Sequence, residues 1–155
     1  MDLETLRQKI LFLGLSDGQL QAIAGIAGKR TYRPGEVIVR RGQLDDTLYV
    51  IERGAVELRA PDPAPGAEGA ERTLCVFERG SWVDEGYAGD FFGEFSLVDL
   101  EPWTATAVAR ERTVLAELKR DDLYDLFARD IDLQIGIVLN IARILSRRLR
   151  QRNRR

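Results

Sequence analysis

Among the residues that could do chemistry, the most informative type is absent: the 155-residue chain contains no histidine. That removes the usual general base, the commonest transition-metal ligand and every serine–histidine or cysteine–histidine nucleophile pair. The single thiol, Cys75, lies in the apolar run Leu74-Cys75-Val76-Phe77, where a buried structural cysteine is the expected role. With one cysteine there is no internal disulfide. The three lysines, Lys9, Lys29 and Lys119, fall in neither a Ser-x-x-Lys nor a phosphate-loop pattern. Adjacent acids at Asp45-Asp46, Asp84-Glu85 and Asp121-Asp122 read as turn and helix-start residues. No nucleophile, base or metal constellation assembles, so the expectation is a binding module and not an enzyme.

Ligand chemistry concentrates in Gly89-Asp90-Phe91-Phe92-Gly93-Glu94-Phe95-Ser96-Leu97. A glycine turn, a short strand, then glycine and an acid opening one helical turn make an anion site, because free amides at such a start point outward and Gly93 admits a phosphate close to the backbone. The competing reading of Glu94 is a helix-start acid favoured by the dipole.

The elements that must hold this segment follow from periodicity. Leu3, Leu6, Ile10 and Leu11 recur at helical spacing, Gly14 breaks the pattern, and Ser16 or Asp17 caps a second helix through about Ala27. From Gly28 short strands alternate with Gly, Pro and Asp turns: Thr31-Tyr32, Val37–Val39, Leu48–Ile51, Val56–Leu58, Leu74–Phe77, Thr104–Arg110 and Thr113–Leu118, the spacing of a sandwich or roll. Residues 61–70, with three Pro and two Gly, form a mobile hairpin tip. The irregular stretch from Gly80 to Tyr87 carries Trp82 and Tyr87, two aromatics that should be partly buried. Asp121 or Asp122 caps a helix containing Leu123, Leu126 and Phe127, and a last helix starts near Ile131. In it Ile131, Ile135, Val138, Ala142, Leu145 and Leu149 follow the alternating four-three step of a two-stranded coiled-coil seam, while Ile137, Ile141 and Ile144 form a second line suited to packing on the chain's own roll. The seam implies a homodimer.

Charge is divided sharply. Residues 1–140 carry all 25 acids against 16 Lys and Arg, a net −9, whereas residues 141–155 carry seven Arg and no acid. That end reads either as a solvated, partly frayed helix terminus or as a patch attractive to nucleic acid or an anionic membrane. No stretch approaches the roughly 20 apolar residues of a membrane span, and the acidic amphipathic amino end is unlike a secretory leader, so the expected compartment is cytoplasmic.

The order of elements resembles the cyclic-nucleotide-binding domains of the catabolite activator protein and of cyclic-AMP-dependent kinase regulatory subunits. The resemblance runs from about Phe12 to Leu149 through Leu13-Gly14-Leu15-Ser16, Tyr32-Arg33-Pro34-Gly35-Glu36-Val37-Ile38, Leu48-Tyr49-Val50-Ile51-Glu52-Arg53-Gly54-Ala55-Val56-Glu57 and Asp90-Phe91-Phe92-Gly93-Glu94. It implies a mainly β fold with flanking helices, a double-stranded β-helix or jelly-roll-like β-roll. The corresponding divisions are N-terminal helices at 1–28, the roll at 29–118, C-terminal helices at 119–150 and a basic tail at 151–155. It also implies that Glu94 accepts a hydrogen bond from a ribose 2′-hydroxyl, that amides near Gly93, Phe95 and Ser96 face a phosphate, and that Phe92, Trp103, Thr104 and Ala105 complete the ligand site.

Two departures qualify this. Nucleotide-binding members place an arginine ten residues after the glycine, before a small pair; here Trp103 stands there, ahead of Thr104-Ala105. Losing one partner of a desolvated charge pair costs about 2–5 kcal/mol, which predicts weak or no affinity for cyclic AMP or cyclic GMP and no other cofactor. Activators of this type also continue past the long helix into a helix-turn-helix reader, whereas this sequence stops at Arg155, so sequence-specific DNA binding is not expected. Three readings follow: a homodimeric regulatory module acting through protein contacts, a true cyclic-nucleotide or other small-ligand sensor signalling through the last helix, and a basic-tailed nucleic-acid-associated protein.

Overall fold

The computed structural model describes residues 1–80, 83–84 and 87–153. Helix α1 (Leu3–Arg7) is capped by Asp2, whose carboxylate accepts from the Thr5 amide at 2.8 Å. Helix α2 (Asp17–Ile26) starts with a capping box in which Ser16 and Gln19 satisfy each other's amides at 3.2 and 2.9 Å. The single first helix expected from Leu3 to Leu11 is divided: α1 stops at Arg7 and a 3-10 turn covers Ile10–Phe12. Lys9 takes extended backbone between them and turns its ammonium inward to the Ile51 carbonyl.

Ten strands follow among the described residues: β1 (Gly28–Tyr32), β2 (Val37–Val39), β3 (Thr47–Arg53), β4 (Ala55–Pro61), β5 (Glu71–Glu78), β6 (Val83–Asp84), β7 (Tyr87–Ala88), β8 (Phe91–Phe92), β9 (Thr106–Ala109) and β10 (Thr113–Lys119). They form a four-stranded sheet ordered β1-β10-β3-β8 and a six-stranded sheet ordered β2-β9-β4-β5-β7-β6. Pairing is antiparallel except between β5 and β7. The expected strands are all present, although Thr104–Arg110 shortens to Thr106–Ala109, because the Trp103 backbone is already bonded to the β2–β3 loop at Gly42 and Gln43. The hairpin tip between β4 and β5 is residues 62–70 and not 61–70, because Pro61 is the last residue of β4, opposite Glu71. Trp82 lies outside the described residues.

Helix α3 (Arg120–Arg129) follows β10 without a loop, so its N-cap is Lys119 and not Asp121 or Asp122. The Lys119 side chain is turned back to Thr47 (2.6 Å) and Asp46 (3.4 Å), and the two acids occupy the first turn, where the helix dipole favours them. Helix α4 (Ile131–Arg152) is capped by Asp130, which accepts from the Leu133 amide at 2.9 Å, and reaches two residues into the segment read as tail.

The period-two alternation of β3 divides the interior. Leu48 and Val50 face a core shared with the helices, including Leu11, Phe12, Leu20, Ile23, Ile137, Ile141 and Ile144. Tyr49 and Ile51 face a second core inside the roll with Tyr32, Val56, Phe77, Phe92, Trp103 and Leu115. Strand β8 splits likewise, Phe91 toward the helices and Phe92 into the roll. Buried Asn140 locks α4 to the amino-terminal segment by donating to the Leu11 and Leu13 carbonyls, each at 2.9 Å.

Candidate functional site

Gly93 is the pivot of the site because its backbone is left-handed, φ 81°, between β8 and the 3-10 turn Glu94–Leu97. A β-carbon there would sit 2.7 Å from the Thr47 carbonyl and 3.3 Å from the Trp103 ring. Only glycine satisfies both the angle and the space.

Around that pivot the sequence-predicted residues come together. Phe92 lies inside the roll, stacked on Tyr49 with ring centres 4.9 Å apart, beside Phe77 at 5.4 Å and edge-on to Trp103 at 6.2 Å. Trp103 is 6% exposed and also meets Phe95 edge-on at 6.0 Å. The indole therefore fills space inside the roll. Ala105 is buried, Thr104 is exposed, and Phe95 stands half out of the surface. Ser96 is turned to the protein's own backbone: its amide donates to the Gly93 carbonyl at 3.1 Å and its hydroxyl to the Gly93 and Thr47 carbonyls, the latter at 3.3 Å. A cleft of about 130 Å³ beside Trp103 is lined by Ser96, Trp103 and Thr104 together with Asp45, Asp99 and Glu101. It is smaller than the roughly 300 Å³ at which small-molecule pockets begin, and its three carboxylates oppose an anion.

Glu94 is 2% exposed, far more buried than an acid that merely complements a helix dipole. Its partner was not foreseen. Arg148, from the Arg-rich end of α4, places its guanidinium against Glu94 Oε1 and donates from Nη2 to the Phe91 carbonyl at 2.8 Å. The same guanidinium lies 5.1 Å from the Phe77 ring centre and 5.0 Å from that of Phe91, two cation–π contacts. With its side chain 16% exposed, Arg148 is not part of a solvated terminus. Spacing held a faint signal, since Ile141, Ile144 and Arg148 share one helix face. Cys75 lies near this pair, and burial pushes its thiol up to about 11.

Asp90, immediately before β8, is fully buried with Lys9 Nζ 3.5 Å away. Burial pushes its carboxyl up to about 6, with Lys9 opposing, and burial draws Lys9 below its ordinary value. On α4, the second line Ile137, Ile141 and Ile144 is buried as expected. The seam positions Ile131, Ile135, Val138, Leu145 and Leu149 are 41–61% exposed in the single chain, and Ala142 is exposed with them. No helix among the described residues is long and apolar enough to cross a membrane.

Comparison with known proteins places this geometry. A family model described as the cyclic nucleotide-binding domain matches residues 29–130. The cyclic AMP receptor protein of Thermus thermophilus is 33% identical over 141 residues, covering 91% of this chain; the chain spans 57% of that relative's length. The crystal structure of Thermus thermophilus catabolite activator protein superposes with a TM-score of 0.73 at 32% identity, covering 94% of this chain and 60% of that one. The N-terminal domain of a transcriptional regulator from Streptomyces coelicolor matches at a TM-score of 0.72 and 28% identity, over 96% of this chain and 92% of that one.

Proposed function

Because the chain belongs to the cyclic nucleotide-binding domain family, we propose that it is a non-catalytic regulatory module whose roll binds ordinary cyclic AMP or cyclic GMP weakly or not at all, and which works as a cytoplasmic homodimer through α4. The observation that carries this is Trp103, packed into the roll between Phe92 and Phe95 at the position where the family resemblance implies a phosphate-neutralising arginine. The ring supplies apolar bulk where a buried phosphodiester needs positive charge. The acids of the neighbouring cleft act in the same direction.

Calorimetric titration with cyclic AMP and cyclic GMP at physiological salt tests the reading. Affinity no tighter than about 100 μM is expected, since the missing charge pair is worth several kcal/mol; sub-micromolar binding overturns it. Trp103→Arg should bind more tightly than the unmodified chain, because Gly93 and Glu94 retain their places.

A further inference from the structure

We infer that the acid-rimmed apolar surface outside the glycine turn is a docking site for a basic amphipathic segment of a partner protein, one that sets large aliphatic side chains beside lysine or arginine. Its apolar part is Leu44, Phe95, Val98 and Leu100. The site lies on the outer face of the roll and requires no bound nucleotide.

Three stretches of backbone are stitched together to make this surface. The Gly42 amide donates to the Trp103 carbonyl at 2.7 Å, the Trp103 amide to the Gln43 carbonyl at 2.9 Å, and the Arg120 amide to the Asp46 carbonyl at 2.9 Å. The loop before β3 is thereby fixed between the segment after β8 and the start of α3. On this frame Ser96, Leu97 and Trp103 turn inward, whereas Leu44, Phe95, Val98 and Leu100 stay 52–72% exposed. An aliphatic exposed alone is ordinary, but four large apolar side chains on adjoining segments with a charged rim mark an interaction surface. Leu44 and Leu100 line a cleft of about 360 Å³ together with Asp45, Asp46 and Lys119. Phe95 lines the cleft of about 130 Å³ beside Trp103, and Asp45 belongs to both, so the two clefts adjoin.

Charge selects the occupant. Asp99 and Glu101 are exposed on the rim and have no ion pair among the described residues. The one cation lining either cleft, Lys119, is already turned to Thr47 and Asp46 at 2.6 and 3.4 Å. Nearby Arg120 is stacked over the Tyr124 ring at 5.1 Å. The excess of carboxylates repels nucleic acid and anionic lipid. A two-fold contact between copies through this patch would set Asp99 and Glu101 against their own counterparts, since such an interface must be self-complementary. A segment whose aliphatic face covers Leu44 and Leu100 while its cations meet Asp99 and Glu101 satisfies both halves of the surface at once.

The test measures fluorescence anisotropy of three labelled helical peptides, each about fifteen residues long, titrated with the full chain. One carries leucines along one face with arginines beside them; in the second alanine replaces each leucine, and in the third glutamate replaces each arginine. The first should bind about tenfold or more tightly than either of the others. The double variant Leu44→Ser, Leu100→Ser should weaken that binding about tenfold or more, and Asp99→Asn with Glu101→Gln should weaken it and flatten its salt dependence. All four side chains are exposed, so both variants should melt like the unmodified chain. Val138→Ser, on α4, should bind the peptide as the unmodified chain does. Absence of binding at millimolar protein, equal binding of the alanine peptide, or full binding by the serine double variant overturns the inference. So does loss of binding in Val138→Ser alone, because the peptide is then pairing with α4. A fall in sedimentation-equilibrium mass caused by the serine double variant also overturns it, since a second copy would then be what covers the patch. Nucleotide affinity, read separately by calorimetry, enters none of these outcomes.

Discussion

A carboxylate can be buried in an apolar roll only if something compensates its charge, and the two acids of the β8 segment find different solutions. Glu94 is met by a guanidinium fork from α4, whereas Asp90 has the Lys9 ammonium 3.5 Å away and no hydrogen-bond partner on either oxygen among the described residues. Burial therefore wins at Asp90 and raises its carboxyl from 3.8 to about 6. Below the lower value both folded and unfolded chains hold the proton, so Asp90 contributes nothing to pH dependence. Between the two values the unfolded chain releases its proton first, and stability falls as pH rises, by about 3 kcal/mol at most for a shift of this size. Urea unfolding of the unmodified chain and Asp90→Asn from pH 4 to 7 should show the unmodified chain losing stability relative to the variant across that window; a constant difference would show that Asp90 ionises freely. Gly93, Glu94 and Trp103 were legible in the sequence because each lies within a local motif. Arg148 was not, because its partner is 54 positions away and a run of arginines looks the same whether solvated or docked.

At the scale of elements, α4 carries two apolar lines, and spacing alone separated them. Ile137, Ile141 and Ile144 are buried on the roll, while Ile131, Ile135, Val138, Leu145 and Leu149 remain 41–61% exposed. What spacing missed were the polar anchors: Asn140 on the Leu11 and Leu13 carbonyls, and Lys119 in place of the two aspartates at the start of α3. These depend on contacts far apart in the chain, which no periodicity reports. Fully burying a large aliphatic side chain is worth about 1.5–3 kcal/mol, and the proposed α4 dimer would recover part of that at each of these half-exposed positions. Val138→Asp or Leu145→Asp would set two carboxylates facing each other across the seam and should give folded monomers by sedimentation equilibrium. Ile141→Asp, by contrast, should lower thermal stability, because it puts a charge into the core beneath the helix. An unmodified chain that stays monomeric at about 100 μM, well above the dissociation constant of a standard-sized apolar interface, would remove the dimer.

Over the whole molecule the charge division, −9 across residues 1–140 against seven arginines in residues 141–155, sets what the basic end can do. Docking of Arg148 at Glu94 withdraws one of those arginines from any external polyanion. Truncation after Arg148 then separates the two roles, since it leaves the docked guanidinium and removes Arg150, Arg152, Arg154 and Arg155. In a parallel dimer the two basic ends lie together, so repulsion should fray the last turn and salt should relieve it. The same arginines should give weak, sequence-indifferent DNA binding whose affinity falls with salt at a logarithmic slope of about −4 or shallower per chain, one unit for each phosphate neutralised. Fluorescence anisotropy with unrelated duplexes between 50 and 200 mM salt measures that slope. Deletion of residues 149–155 should abolish the binding while leaving Arg148 docked at Glu94. A slope near −5 or steeper per chain would mean that arginines beyond those four, the docked one included, serve the polyanion, and a single preferred duplex retained at 200 mM salt would make the chain a sequence reader, which a row of phosphate-contacting arginines cannot be.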